Sequence, residues 1–206
     1  MTMYNQKTSN QKLLNKAKNI RLLLLDVDGV LTDGRLYYGN NGEELKAFNI
    51  QDGLGIKLLQ RNGIQVGIIT GRSSELLTRR ASELGIELVI QGREDKLTAL
   101  GEILESKNEP YQMEEIAFLG DDLPDVAVIR RVGLGVAVAN ATSFVVENSH
   151  WQTATKGGDG AVRELAEILL QAQGKLESAH SNYLYTTLKI KCLLNMGRPF
   201  RIPQPD

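Results

Sequence analysis

At 206 residues the chain has room for one domain with a substantial core, and its 24 basic and 25 acidic side chains leave a net charge of −1. That balance provides no single-signed field for nucleic acid or an anionic membrane, and the lone Cys192 excludes a disulfide framework or a thiolate zinc site. No apolar stretch approaches the roughly 18 residues of a membrane span, and Met1 to Asn19 is polar with no apolar signal core, so a soluble cytoplasmic protein is expected.

The first element is the apolar run Ile20–Leu25, read as a buried strand that leads directly into Asp26-Val27-Asp28-Gly29-Val30-Leu31-Thr32. Residues two apart in a strand point the same way, so Asp26 and Asp28 address one small volume at its carboxyl end. Ligands of open α/β sheets bind at that end. Next, Gly34–Tyr38, the segment Gly39-Asn40-Asn41-Gly42 and Glu43–Phe48 read as a β-hairpin with a loop of about four residues. Its Leu36, Tyr37, Tyr38, Leu45 and Phe48 need cover, from the hairpin's own domain or from another subunit.

Helical spacing and short apolar runs then alternate: helix Gly53–Arg61, strand Val66–Ile69, helix Ser74–Leu84, strand Leu88–Ile90, helix Lys96–Ser106, strand Ile116–Leu119, helix Pro124–Val132, strand Leu134–Val138 and helix Ala161–Gln173. Continuous apolar strands between helices predict an α/β fold, a doubly wound parallel sheet covered on both faces. Gly63 and Gly85 follow helical patterns as C′ residues do, and Pro124 suits a first helical turn. Residues 1–180 form one domain in this reading. Residues 181–206, with Cys192 and three of the five prolines, break the pattern and read as a loosely ordered tail.

Four of the five predicted strands end in reactive or phosphate-seeking residues: Asp26 and Asp28, then Thr70-Gly71-Arg72, then Gln91-Gly92 leading to Lys96, then Gly120-Asp121-Asp122 with Asp125. That convergence points to phosphoryl transfer through an aspartyl phosphate with bound magnesium. A carboxylate nucleophile splits a very slow hydrolysis into two easier steps. Magnesium takes one or two carboxylates with phosphate and water, a part open to Asp26 and Asp121. Asp28 is expected to carry the proton, its pKa raised by a neighbouring carboxylate. Thr70 offers a hydroxyl and Lys96 a compact positive charge to the phosphoryl oxygens.

Competing readings are weaker. An EF-hand register from Asp26 places Leu31 at the glycine position and Tyr37 where a Glu is needed. Asp125 alone reads as a favourable charge in a first helical turn. His150 and His180 lack partners at ligand spacing, and Trp151 reads as packing. Gly157-Gly158-Asp159-Gly160 lacks the Lys-Ser/Thr of a P-loop and reads as a flexible lead into the helix after it. A phospho-accepting receiver-type signalling domain shares Asp, Thr and Lys on a doubly wound sheet. Its acceptor follows the third strand, however, and Asp26 follows the first.

Asp26-x-Asp28-Gly29-x-x-Thr32, Thr70, Lys96 and Gly120-Asp121-Asp122-x-x-Asp125, in that order, resemble the haloacid dehalogenase superfamily of phosphohydrolases. Asp52-Gly53-x-Gly55-Ile56, Ile68-Ile69-Thr70-Gly71-Arg72-Ser73 and Gly160-Ala161-Val162-Arg163-Glu164 narrow the resemblance to its branch acting on 3-deoxy-D-manno-octulosonate 8-phosphate, over roughly residues 12 to 178. The resemblance implies a Rossmann-like fold without a cap domain, a hairpin insertion at about 34–48, a homotetramer, and a role in lipopolysaccharide precursor synthesis. It implies Asp26 as nucleophile and Mg2+ ligand, Asp28 as acid/base with its backbone carbonyl on the metal, and Asp121 as a further metal ligand. Thr70 and Lys96 hold phosphate in that scheme. Asn49, Ile50, Gln51, Asp52, Gly53, Lys57, Arg72 and Arg80 contact the sugar acid together with Asp28 and Lys96. A planar guanidinium at Arg72 suits a carboxylate. The chain departs from the branch at Gln51, Lys57 and Asp159, where members tend to carry Arg. A nonulosonate (sialic-acid-like) 9-phosphate is the alternative substrate.

Overall fold

The computed structural model describes residues 11–105 and 111–184. Helix α1 (residues 11–17) leads into β1 (Leu22–Leu25), whose four residues are all buried. Alternate residues of this strand enter opposite layers of the core. Leu23 and Leu25 pack with Val66, Ile68, Leu119 and Val136, whereas Leu22 and Leu24 pack with Ile69, Phe118 and Ala137. A strand covered on both faces has no polar side to show, which explains its unbroken leucines.

After the hairpin β2 (Tyr37–Gly39) and β3 (Gly42–Leu45) comes α2 (Ile50–Arg61), followed by β4 (Gln65–Ile69), α3 (Glu75–Leu84), β5 (Leu88–Ile90) and α4 (Lys96–Glu105). The second half adds β6 (Ile116–Gly120), α5 (Leu123–Ile129), β7 (Leu134–Ala137), α6 (Ser143–Asn148), β8 (Trp151–Gln152), α7 (Ala161–Ala172) and α8 (Leu176–Leu184). The main sheet has six parallel strands in the order β5-β4-β1-β6-β7-β8. Winding therefore reverses between β1 and β6, and a crevice opens beyond the carboxyl ends of those two neighbours. Helices α2, α3 and α7 cover one face through Ile56, Leu59, Leu77, Ala81, Leu165 and Leu169. Helices α4, α5 and α6 cover the other through Leu100, Ile103, Val128, Ile129 and Val145. Among the described residues no helix is long and apolar enough to cross a membrane.

The parallel sheet covered on both faces matches the expectation, with differences of detail. The two-residue strand β8 and the six-residue α6 are too short for periodicity to reveal. Helix α2 begins at Ile50, earlier than expected, because the Asn49 side chain accepts the Gln51 N–H at 2.7 Å and caps it. Helix α5 ends at Ile129 rather than Val132. The hairpin loop is the pair Asn40-Asn41 between the paired Gly39 and Gly42, shorter than the four residues expected. Residues 181–184 complete α8, and the rest of the predicted tail lies outside the described residues, as does Ser106. His150 is structural, its Nδ1 accepting the Gly135 N–H at 2.9 Å.

Candidate active site

Beyond β1 the chain coils into a tight turn in which the Val27 carbonyl accepts the N–H groups of Val30, Leu31 and Thr32 at 3.2, 2.9 and 3.0 Å. Asp26 stays tied to the sheet, its N–H donating to the Leu119 carbonyl at 3.1 Å. Gly29 sits at φ +97°, and a Cβ there would overlap the Asp121 carboxylate. Only glycine lets the turn and that carboxylate meet. The turn is braced from behind. Gly158 donates its N–H to the Val30 carbonyl at 2.8 Å, and side chains at Gly157 or Gly158 would overlap the backbone of Gly29 or Thr32. The glycine run expected as a flexible lead is thus a packing surface, small because two backbones touch.

Lys96, at the start of α4, brings its ammonium within 2.6 Å of Asp26 Oδ1 and 2.5 Å of Asp125 Oδ1. Asp125 Oδ2 accepts the N–H groups of Asp121 and Asp122 at 2.9 and 3.3 Å. Asp125 therefore does more than bias a first helical turn: it is buried and joins the lysine to the loop after β6. Thr70 is buried at the end of β4, its N–H bonded to the Ile90 carbonyl at 2.9 Å.

Three carboxylates thus face one buried ammonium. Burial, reinforced by the Asp125 charge and opposed by Lys96, pushes the Asp26 carboxyl up to about 6. Burial also pushes Asp121 up to about 8, with Asp26 and Asp125 adding to it. Burial pulls on the Lys96 ammonium in the direction of neutrality, but Asp125 and Asp26 outweigh it and hold the pKa above the usual lysine value. One oxygen each from Asp26, Asp121 and Asp125 lie within 4.8 Å of one another. Carboxylate oxygens are the hard donors that Mg2+ takes, so the chemistry of the donor set fits that ion. Both Asp125 oxygens are already engaged, which leaves Asp26 and Asp121 with the open positions.

Asp28 has different company from that expected. Its charged neighbours are cations: Lys46 Nζ lies 2.5 Å from Oδ1 and Arg72 Nε 3.7 Å from Oδ2. Arg72 in turn donates to the Tyr38 hydroxyl at 3.2 Å, so the hairpin touches both sides of this pair.

A pocket of about 370 Å³ gathers Asp26, Asp28, Thr70, Arg72, Lys96 and Asp121, with Glu94 and Asp122 at its wall. The remaining predicted contacts do not line it. Asn49 caps α2 and donates to the Gly158 carbonyl at 3.4 Å, while Ile50 and Gln51 are exposed. The Asp52 carboxylate turns inward, accepting the Arg163 N–H at 2.9 Å at the start of α7. Gly53 packs against the Arg80 guanidinium, which stands 6.0 Å over the Phe48 ring. Lys57 lines a separate cleft with Gln60 and Tyr111. Sequence reasoning missed Lys46, and it named Asp125 without its bridging role. The spacing Asp122-x-x-Asp125 is that of a capping box, which α5 indeed has, and that ordinary role hid the second one.

Residues 86–165 match the haloacid dehalogenase-like hydrolase family. The 3-deoxy-D-manno-octulosonate 8-phosphate phosphatase of Yersinia pestis is 51% identical over 167 residues, 81% of this chain and 88% of that protein. Its crystal structure superposes with a TM-score of 0.78 over 81% of this chain and 89% of its own. The Moraxella catarrhalis phosphatase of the same name, crystallised with magnesium, phosphate and a KDO molecule, is 43% identical with a TM-score of 0.81, over 84% of this chain and 98% of its own.

Proposed function

The chain belongs to the haloacid dehalogenase-like hydrolases, and from that premise we propose that it hydrolyses 3-deoxy-D-manno-octulosonate 8-phosphate to the free sugar acid and phosphate. The observation that carries this reading is the single pocket joining Asp26, Asp28, Thr70, Lys96 and Asp121 at the winding reversal of the sheet.

In the first half-reaction an Asp26 oxygen attacks phosphorus, the phosphorus–oxygen bond to the sugar breaks, and Asp28 gives its proton to the departing alkoxide. Asp26 then carries the phosphoryl group. In the second, Asp28 takes a proton from water, the resulting hydroxide attacks phosphorus, and the Asp26 carboxylate is released with phosphate. Lys96 and the Thr70 hydroxyl hold the phosphoryl oxygens throughout, and Lys96 also fixes the attacking carboxylate. Asp26, Asp121 and the Asp28 backbone carbonyl would hold Mg2+, which when bound neutralises charge on the transferring group. Asp125 steadies two of these partners from behind.

Arg72, half-exposed at the pocket wall, pairs with the carboxylate of the sugar acid. Asn49, Ile50, Gln51, Gly53, Lys57 and Arg80 serve a neighbouring subunit's pocket in a homotetramer, with Asp52 shaping that surface from beneath. The exposed Leu36, Tyr38 and Leu45 of the hairpin supply apolar area for such an assembly. The place of action is the cytoplasm, in lipopolysaccharide precursor synthesis. Magnesium-dependent phosphate release across a panel of sugar phosphates tests the reading. A kcat/KM for the octulosonate ester well above that for p-nitrophenyl phosphate and for a nonulosonate 9-phosphate supports it. Equal or lower turnover of the octulosonate ester overturns it.

A further inference from the structure

Lys46 takes no part in lining the pocket, yet its side chain is only 4% exposed and its ammonium meets Asp28. Lysine is almost never buried without a charge partner, and here that partner is the residue that moves the proton. Asp28 Oδ1 is engaged by this ammonium at 2.5 Å, whereas Oδ2 is buried without a hydrogen-bond partner. Oδ2 faces the Arg72 guanidinium at 3.7 Å, too far for a hydrogen bond, so it keeps an acceptor position for a hydrogen from outside the resting protein.

The hairpin register explains how Lys46 arrives there. Tyr38 pairs with Glu43 but Tyr37 pairs with Leu45, so β3 holds one extra residue at this step. A one-residue bulge moves every later side chain to the other face of the ribbon. Counted through the bulge, Lys46 falls on the Tyr38 side, the side on which the Tyr38 hydroxyl meets Arg72. An unbulged strand would turn Lys46 away from the turn after β1.

We infer that Lys46 is a positioning residue for the proton-transfer step: it seats the Asp28 carboxylate by one oxygen and leaves Oδ2 as the oxygen that exchanges the proton with the leaving group and then with water. This rests on the reading of Asp28 as proton carrier. It gives the hairpin a share in catalysis within its own subunit, separate from any role in covering a neighbour.

The test compares Lys46→Met, Lys46→Arg, Asp28→Asn and the double variant Lys46→Met/Asp28→Asn in steady-state hydrolysis of the octulosonate ester with saturating Mg2+. Lys46→Met is expected to lower kcat by about 10- to 100-fold, the range for misplaced catalytic groups, with KM changed less than about two-fold. Lys46→Arg is expected to recover part of the loss. In the Asp28→Asn background, Lys46→Met is expected to change kcat less than about two-fold, since it acts through a group already disabled. Wild-type kcat in Lys46→Met, or a loss of full size persisting in the Asp28→Asn background, overturns the inference. Wild-type kcat in Asp28→Asn instead overturns the proton-carrier reading itself. Should Lys46→Met melt early, Lys46→Gln, which keeps a donor without the charge, is read by the same criteria.

Discussion

Asp125 lies 2.5 Å from the Lys96 ammonium with one oxygen, and with the other it receives the Asp121 N–H at 2.9 Å. One buried carboxylate thereby sets the distance between the proposed phosphate-holding group and the loop proposed to present a metal ligand. Asp125→Asn keeps the shape but loses the charge that fixes Lys96. It is expected to weaken Mg2+ binding and to slow turnover, each by about 10- to 100-fold, as for partners that orient metal ligands. Titration calorimetry with Mg2+ and steady-state kinetics check both; unchanged Mg2+ affinity would count against the bracing role.

Asp26→Asn removes the proposed nucleophile while preserving volume. Turnover is expected to fall by more than ~10³-fold, because loss of one member disables the whole unit. Acid quenching during turnover with labelled substrate is expected to trap phosphoprotein in the wild type and none in the variant. Labelling of the variant at wild-type level would rule out the covalent route through Asp26.

Asp26 and Asp121 are pushed up to about 6 and about 8, chiefly by burial, whereas unfolded aspartates titrate near 3.8. Between about pH 4 and 8 these two groups therefore bind more protons in the metal-free folded protein than in the unfolded chain, which outweighs the opposite shift at His150. The protein's stability falls as pH rises through that window. Mg2+ displaces those protons, so its affinity rises over the same range and its stabilising effect is largest near the upper end. Melting temperatures at pH 5 to 8 with and without Mg2+ are expected to diverge progressively. Parallel curves would exclude the carboxylate cluster as the source.

Gly157→Ala would drive a methyl group into the Gly29 carbonyl. The expected cost is about 1–3 kcal/mol for overpacking, with reduced turnover because the displaced turn carries Asp28. Gly101 lies within α4 with nothing near its missing Cβ, so Gly101→Ala is expected to stabilise by roughly 0.5–1 kcal/mol. Urea denaturation compares the two directly.

Leu45→Glu places a charge on an exposed apolar residue of the hairpin. If hairpins pack against neighbouring subunits, sedimentation velocity is expected to show smaller species for the variant than for the wild type. Identical distributions would remove the hairpin from the interface.

The parallel sheet was readable because strands covered on both faces must be continuously apolar, as Leu22–Leu25 and Ile116–Leu119 are. The residues at strand ends were readable because Asp26, Thr70 and Asp121 have little reason to converge except chemistry. Lys46 was not readable, since its direction depends on one unpaired residue in β3 that composition does not announce. Strand β8 was hidden by having only two residues, although Trp151 packs against the core. The expected sugar-acid contacts at Asn49 to Gly53, Lys57 and Arg80 came from resemblance alone. Within a single subunit these residues cap helices, face solvent or pack locally, and periodicity carries no signal of a role in a pocket.

The brace of Gly157 and Gly158 against the turn after β1 has a consequence for biosynthesis. Every acidic group of the pocket has been synthesised once Asp125 is added, yet the backbone that supports Gly29 is made some thirty residues later. A nascent chain paused before that point holds all the reactive side chains around an unsupported turn. Competence is acquired late, when the segment that carries Gly157 and Gly158 docks beneath the turn after β1.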